Sequence, residues 1–150
     1  ARCVMHVHST FATVLATLQN SELPPIDQNT TTFYQRYVID DRFGGLAFES
    51  EGARCATLLS DPKVKVMIMG NHGVLVLGDS VADTFNRLYY FERAAETYIR
   101  ALQTGQSLRV LSHEIAVKAA QEMEDYPDQS VRHFDDLKEI LDRDGSDYRD

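Results

Sequence analysis

A chain of 150 residues with 43% hydrophobic and 25% charged residues has the size and make-up of one globular domain, residues 1–150, and is too short for two. Its formal net charge of −8 argues against nucleic acid or an anionic membrane surface as partner, since both require a basic footprint; a phosphorylated or carboxylated small-molecule substrate fits where a metal ion or local Arg and Lys reverses the potential. No apolar run reaches the length of a membrane span, the first residues lack a secretory pattern, and two widely spaced cysteines, Cys3 and Cys55, fit reduced thiols in the small core positions of a cytoplasmic protein.

The first predicted element is a strand over residues 2–8, where Val4, Met5 and Val7 supply the apolar character. It starts within a few residues of the first one, as expected of a chain whose earlier part lies outside this sequence. Ser9 or Thr10 is placed to cap a helix whose Phe11, Val14, Leu15 and Leu18 recur at helical spacing, and whose positive N-terminal end faces the preceding histidines. Leu23-Pro24-Pro25-Ile26 is a rigid connector, residues 27–32 read as a polar, Thr-rich loop, and residues 33–40 as a strand. Gly44-Gly45 marks a turn before the short apolar piece Leu46-Ala47-Phe48.

Ser50 is placed to cap a helix over 51–59 with Ala53, Ala56, Leu58 and Leu59 inward, ended by Asp61-Pro62. Residues 64–69 form the most strand-like run, followed by Gly70-Asn71-His72-Gly73 and a second apolar run over 74–77, which together predict a hairpin with a four-residue connector. Ser80 and Asp83 open the longest helix, to about Thr104, with an apolar stripe of Val81, Phe85, Leu88, Tyr89, Ala95, Ile99 and Leu102, and with Gly105 closing it. Two more helices follow, one capped by Ser112 and running to about Glu124, the other carrying Phe134, Leu137, Ile140 and Leu141 before a polar tail. Tyr126-Pro127 separates them.

The chemistry concentrates on three imidazoles. Side chains alternate along a strand, so His6 and His8 leave the same face from neighbouring positions. A strand pair of this kind is often just half-solvated. His72 changes the weighing, because it sits between two glycines that remove bulk and let the backbone approach a ligand or a neighbouring strand. The three positions together point to a divalent-metal site of His6, His8 and His72. Neutral imidazoles leave the full double charge on the ion, giving a strong Lewis acid; they suit zinc best, with manganese, iron, cobalt or nickel also served. Such an ion stabilises an enediolate when a bond next to a carbonyl breaks. His113 and His133 read as solvated or locally bonded, and Tyr89-Tyr90-Phe91 and Tyr98 as packing.

His6-Val7-His8-Ser9, the Leu23-Pro24 connector, the strand into Asn71-His72-Gly73-Val74 and the helix opened by Ser80 together resemble the class II aldolase/adducin family over roughly residues 2–105. The resemblance implies a three-layer α/β/α sandwich around a mixed, largely antiparallel sheet, followed here by C-terminal helices. It implies metal-dependent aldolase, epimerase or decarboxylase chemistry on small hydroxy-carbonyl or phosphorylated sugar-like substrates, with the metal on His6, His8 and His72. It also implies a homo-oligomer, commonly fourfold. The family's N-terminal portion, with its phosphate loop and an acidic residue near the metal, has no counterpart in these residues. Of two acid/base tyrosines used by some members, one corresponds to Gln28 and the other to Tyr148, so the catalytic residue is unknown. Arg2-Cys3-Val4 and Phe43-Gly44-Gly45 resemble the adducin-like branch, which includes non-catalytic cytoskeletal head domains. A metal-dependent aldolase-type lyase and an adducin-like interaction domain are therefore the two competing expectations; a metal-dependent hydrolase is disfavoured because no carboxylate base is evident near the histidines.

Overall fold

The computed structural model describes every residue except 43, 46–48, 127 and 150, and of 49 and 50 the backbone alone. The described residues form four strands and six helices: β1 (Cys3–Val7), α1 (Thr10–Ala16), α2 (Gln28–Thr32), β2 (Tyr37–Asp40), α3 (Glu49–Leu58), β3 (Val66–Met69), β4 (Gly73–Gly78), α4 (Val81–Gln103), α5 (His113–Glu124) and α6 (Gln129–Arg143). The sheet order is β1-β4-β3-β2, with β1–β4 and β3–β4 antiparallel and β2–β3 parallel. This is the mixed, largely antiparallel sheet expected.

Alternation divides the sheet into two faces. Val66, Ile68, Val74 and Val76 are fully buried on one face, with Val7, Tyr37 and Ile39 packed beside them, and α1 and α4 cover that side through Ala12, Leu15, Ala16, Phe91, Ala94, Ala95 and Tyr98. Small residues at 12, 16, 94 and 95 bring the two helices close to each other and to the strands, while Phe91 and Phe33 meet edge-on at 5.0 Å. On the other face Asp40 points away from this core and is held by Arg54 of α3 at 2.9 Å, which lays α3 against the second side. The result is three layers, α1/α4, sheet and α3, followed by α5 and α6.

Several local expectations need correction. Residues 28–32 are a short helix rather than loop, because Asp27 and Thr30 form a reciprocal capping box: the Asp27 carboxylate accepts from the Thr30 N–H at 2.8 Å and the Thr30 hydroxyl accepts from the Asp27 N–H at 2.9 Å. Residues 33–36 turn instead of extending, with Gln35 in the left-handed region at φ 57°, so the strand begins only at Tyr37. In α3 the alanines Ala53 and Ala56 are exposed, whereas Leu58 and Leu59 are half-buried as expected. The buried stripe of α4 runs through Thr84, Phe91, Ala94, Ala95, Tyr98 and Ile99, leaving Val81, Tyr89 and Leu102 exposed: Ala95 and Ile99 face inward as expected, but the helix is turned so that Phe91, Ala94 and Tyr98 enter the core. Cys3 and Cys55 are half-buried rather than core. The Leu46-Ala47-Phe48 piece and Pro127 lie outside the described residues, as does the side chain of Ser50.

The remaining caps follow the sequence reading. Ser80 accepts from the Asp83 N–H, Ser112 from the Ile115 N–H, and Gly105 at φ 69° ends α4. No helix among the described residues is long and apolar enough to cross a membrane.

Candidate metal centre

The site sits where β1 runs out and the β3–β4 hairpin turns. Val7 pairs with Val74, so the ends of β1 and the hairpin are brought side by side, and His6 and His8 project from the β1 side beside His72. The hairpin connector is three residues rather than four: Gly73 already belongs to β4 and pairs with Met69. The unusual backbone angle in that turn is at Asn71, φ 56°, a conformation asparagine tolerates better than most residues. Gly73 is required for a different reason. A Cβ there would lie 2.5 Å from the Val7 carbonyl oxygen and 2.7 Å from Cδ2 of His8. Its bareness lets the two histidine-bearing turns close on each other.

Three imidazoles meet as a result. Ring centroids are 4.9 Å apart for His6–His8, 4.7 Å for His6–His72 and 4.8 Å for His8–His72, and one ring nitrogen from each lies within 4.8 Å of the others. His6 and His8 are exposed and His72 is half-buried, so the cluster opens to solvent on one side. Nδ1 of His6 donates to the Val74 carbonyl at 3.1 Å, which fixes the tautomer and leaves the Nε2 lone pair facing the cluster. Nε2 of His8 stands 3.1 Å from Nε2 of His6. Two nitrogens each about 2.0–2.1 Å from a shared ion at angles of roughly 90–110° would be about 2.9–3.4 Å apart, so this spacing fits a common divalent ion. Burial lowers the His6 pKa, with repulsion from His72 and His8 adding to it, against the Val74 bond and the Glu51 charge. The shift is toward the neutral ring, the form a metal needs.

Two acidic residues belong to the surroundings although neither stood out in the sequence. Glu51, in the first turn of α3, is 3.6 Å from the same Arg54 that holds Asp40, and its charge is felt at His6. The expectation that no carboxylate lies near the histidines is corrected to that extent. Glu92 of α4 takes over the N-terminus of α1: its carboxylate accepts from the Ser9 hydroxyl at 2.7 Å and from the Phe11 and Ala12 N–H groups at 2.7 and 2.9 Å. Ser9 occupies the cap position without capping, and the positive end of α1 is satisfied by Glu92 rather than directed at a ligand. No local pattern could have signalled a partner more than 80 residues away.

The other singled-out residues stay apart from the cluster. His113, exposed as expected, bonds Tyr34 at 3.0 Å, whereas His133 is half-buried and bonds Asn86 of α4 at 2.8 Å, a contact between elements rather than a local one. Gln28 opens α2 and reaches Met123, and the Tyr148 hydroxyl donates to Asp142 at 3.0 Å beyond the end of α6.

Residues 1–99 match the family model of the class II aldolase and adducin N-terminal domain. The chain belongs to this family. Human beta-adducin is 28% identical over 103 residues, 69% of this chain and 14% of that protein. The crystal structure of an aldolase II superfamily protein from Pseudomonas syringae superposes with a TM-score of 0.86 at 30% identity, over 98% of this chain and 59% of the other. L-fuculose 1-phosphate aldolase from Glaciozyma antarctica PI12 shares the fold at a TM-score of 0.75 and 17% identity, over 93% of this chain and 53% of that one. The chain thus spans about a seventh of the curated adducins it matches and little more than half of the solved aldolase-type structures. Within the class II aldolase/adducin fold, the histidine cluster lies wholly on the matched segment.

Proposed function

We propose that this class II aldolase/adducin domain binds a divalent cation, zinc by preference, through His6, His8 and His72, and serves a metal-dependent aldolase-type lyase. One observation supports the reading: three imidazoles from two distant turns cluster, with one ring nitrogen from each within 4.8 Å of the others. When bound, the ion supplies Lewis acidity for charge that develops on a substrate carbonyl oxygen next to a breaking carbon–carbon bond. The protein's own part is to present neutral ligands. The Val74 carbonyl orients His6, the bare Gly73 admits His8, and the Asn71 turn delivers His72. The open side of the cluster leaves room for a small hydroxy-carbonyl or phosphorylated sugar-like substrate, in keeping with the fuculose phosphate named for one structural relative. A cytoplasmic homo-oligomer, fourfold in symmetry, completes the proposal. Metal analysis of purified protein tests it, with one bound zinc per chain expected for the native protein and loss of that metal in His72→Ala. An undiminished metal content in the variant would remove the assigned ligands.

The adducin matches favour a second reading, in which the domain is a non-catalytic interaction module with a structural ion. Screening hydroxy-aldehyde phosphates and 2-oxo acids for metal-dependent cleavage separates the two. Turnover supports the lyase; a fully metallated long form of the protein with no turnover supports the module.

A further inference from the structure

β1 ends at Val7 and α1 begins at Thr10, so only His8 and Ser9 make the corner between them. On the strand side the corner is fixed by the Val7–Val74 pairing. On the helix side it is fixed by Glu92, whose two carboxylate oxygens gather three donors from three of the next four residues: Ser9 Oγ and the Ala12 N–H on Oε2, the Phe11 N–H on Oε1. The first turn of a helix has free N–H groups that its own cap residue ordinarily satisfies. Here the cap residue gives its hydroxyl proton to Glu92 instead, and a side chain from another helix holds both the cap residue and the turn that follows it.

The far end of α1 is tied as well. The Ala16 carbonyl accepts from the Asn71 N–H at 2.9 Å, in the turn that carries His72. The short helix therefore works as a strut between the corner bearing His8 and the turn bearing His72. Leu15 and Ala16 bury it against the core, so it cannot slide without loss of packing.

From this geometry we infer that Glu92 is a positioning residue for His8: by clamping the corner after β1, it sets the His8 ring at coordinating distance from His6 and His72. The inference deepens the metal reading and rests on it. Glutamine at 92 keeps the shape but offers a single acceptor oxygen and sets an amide donor against backbone donors, so at least one of the three bonds is lost. Outer partners that orient ligands typically govern about 10–100-fold of metal affinity.

The test uses the whole chain, with zinc itself as the probe in competition against a chromophoric chelator, and long-range proton–nitrogen NMR of the imidazoles in metal-free protein. Glu92→Gln is expected to lower zinc affinity by about tenfold or more at a temperature where it is fully folded, and to move or broaden the His8 ring signals while the Nδ1 signal of His6, held by Val74, stays in place. Ser9→Ala retains both backbone bonds to Glu92, is the milder variant should the first be too unstable to study, and is expected to show the same changes at smaller size. A variant that melts earlier but binds zinc within about twofold of the native protein, with His8 signals unmoved, would make Glu92 a helix cap and nothing more. Should the native protein bind no zinc, the metal reading falls and the ring signals alone decide: movement of His8 in Glu92→Gln upholds the clamp, and immobility overturns it.

Discussion

Gly73→Ala is the sharpest perturbation of this site, because one added methyl group meets both halves of it. The new Cβ would sit 2.5 Å from the Val7 carbonyl oxygen and 2.7 Å from Cδ2 of His8. Relief requires the neighbours to retreat by several tenths of an ångström. The Val7 carbonyl belongs to the β1–β4 ladder and cannot retreat without loosening the Val7–Val74 pair; the His8 ring can, but only by leaving its place beside His6 and His72. Overpacking of this kind costs about 1–3 kcal/mol, and the backbone partner puts this case at about 2–3 kcal/mol. In a domain of this size that lowers the melting temperature by roughly 5–10 °C. Zinc affinity falls further than stability alone explains, since a ligand ring is displaced. Gly52→Ala is the matched control: nothing lies within 4 Å of its Cβ inside α3, and the substitution is expected to be neutral or stabilising by up to about 1 kcal/mol. Calorimetry and zinc titration of both variants make the comparison. Gly73→Ala with native stability and native zinc affinity would refute the packing account of this turn.

Zinc at about one hundred times its dissociation constant should stabilise the native protein by about 2.7 kcal/mol, and this thermal shift should vanish in His6→Ala, His8→Ala and His72→Ala alike. Asp27→Ala removes one half of the capping box on α2 and is expected to cost about 1 kcal/mol by denaturant titration. Burial raises the Tyr37 pKa, while its oxygen accepts the Leu23 N–H at 2.8 Å. The fold thus favours the neutral phenol: that stability is complete below the unfolded value of about 10 and is lost as pH climbs from there through the raised folded value. Tyr37→Phe should flatten this alkaline loss in a pH series of melting temperatures, at a cost of about 1–3 kcal/mol at neutral pH for the orphaned Leu23 N–H.

What the sequence made legible is what short range determines. Alternation placed His6 and His8 on one face, the paired apolar runs around Gly70–Gly73 gave the hairpin, and Ser80, Ser112 and Gly105 marked helix ends that the structure keeps. The misreadings have the same origin from the other side. Thr-rich residues 28–32 look like loop because threonine disfavours helix interiors, yet the box between Asp27 and Thr30 outweighs propensity over a single turn. Spacing alone puts Val81, Tyr89 and Leu102 on the inner stripe of α4, while packing on the sheet turns the helix so that Thr84, Phe91, Ala94 and Tyr98 join Ala95 and Ile99 there. In the candidate site, the role of Gly73 was legible as bareness but not as to what approaches it.

The convergence of the three rings is itself a long-range property, and this explains why no single motif announces it. His6 is oriented by Val74, the corner after His8 by Glu92, and the His72 turn by Ala16, contacts spanning 68, about 80 and 55 positions along the chain. Each uses a backbone group that any sequence would supply, so only the Glu92 carboxylate and the bare Gly73 leave a trace in residue identity. The fold itself is shared with L-fuculose 1-phosphate aldolase from Glaciozyma antarctica PI12 at 17% identity. Metal binding fits both a lyase and an interaction module with a structural ion, so cleavage assays on a metallated long form are more decisive between the two than metal binding alone.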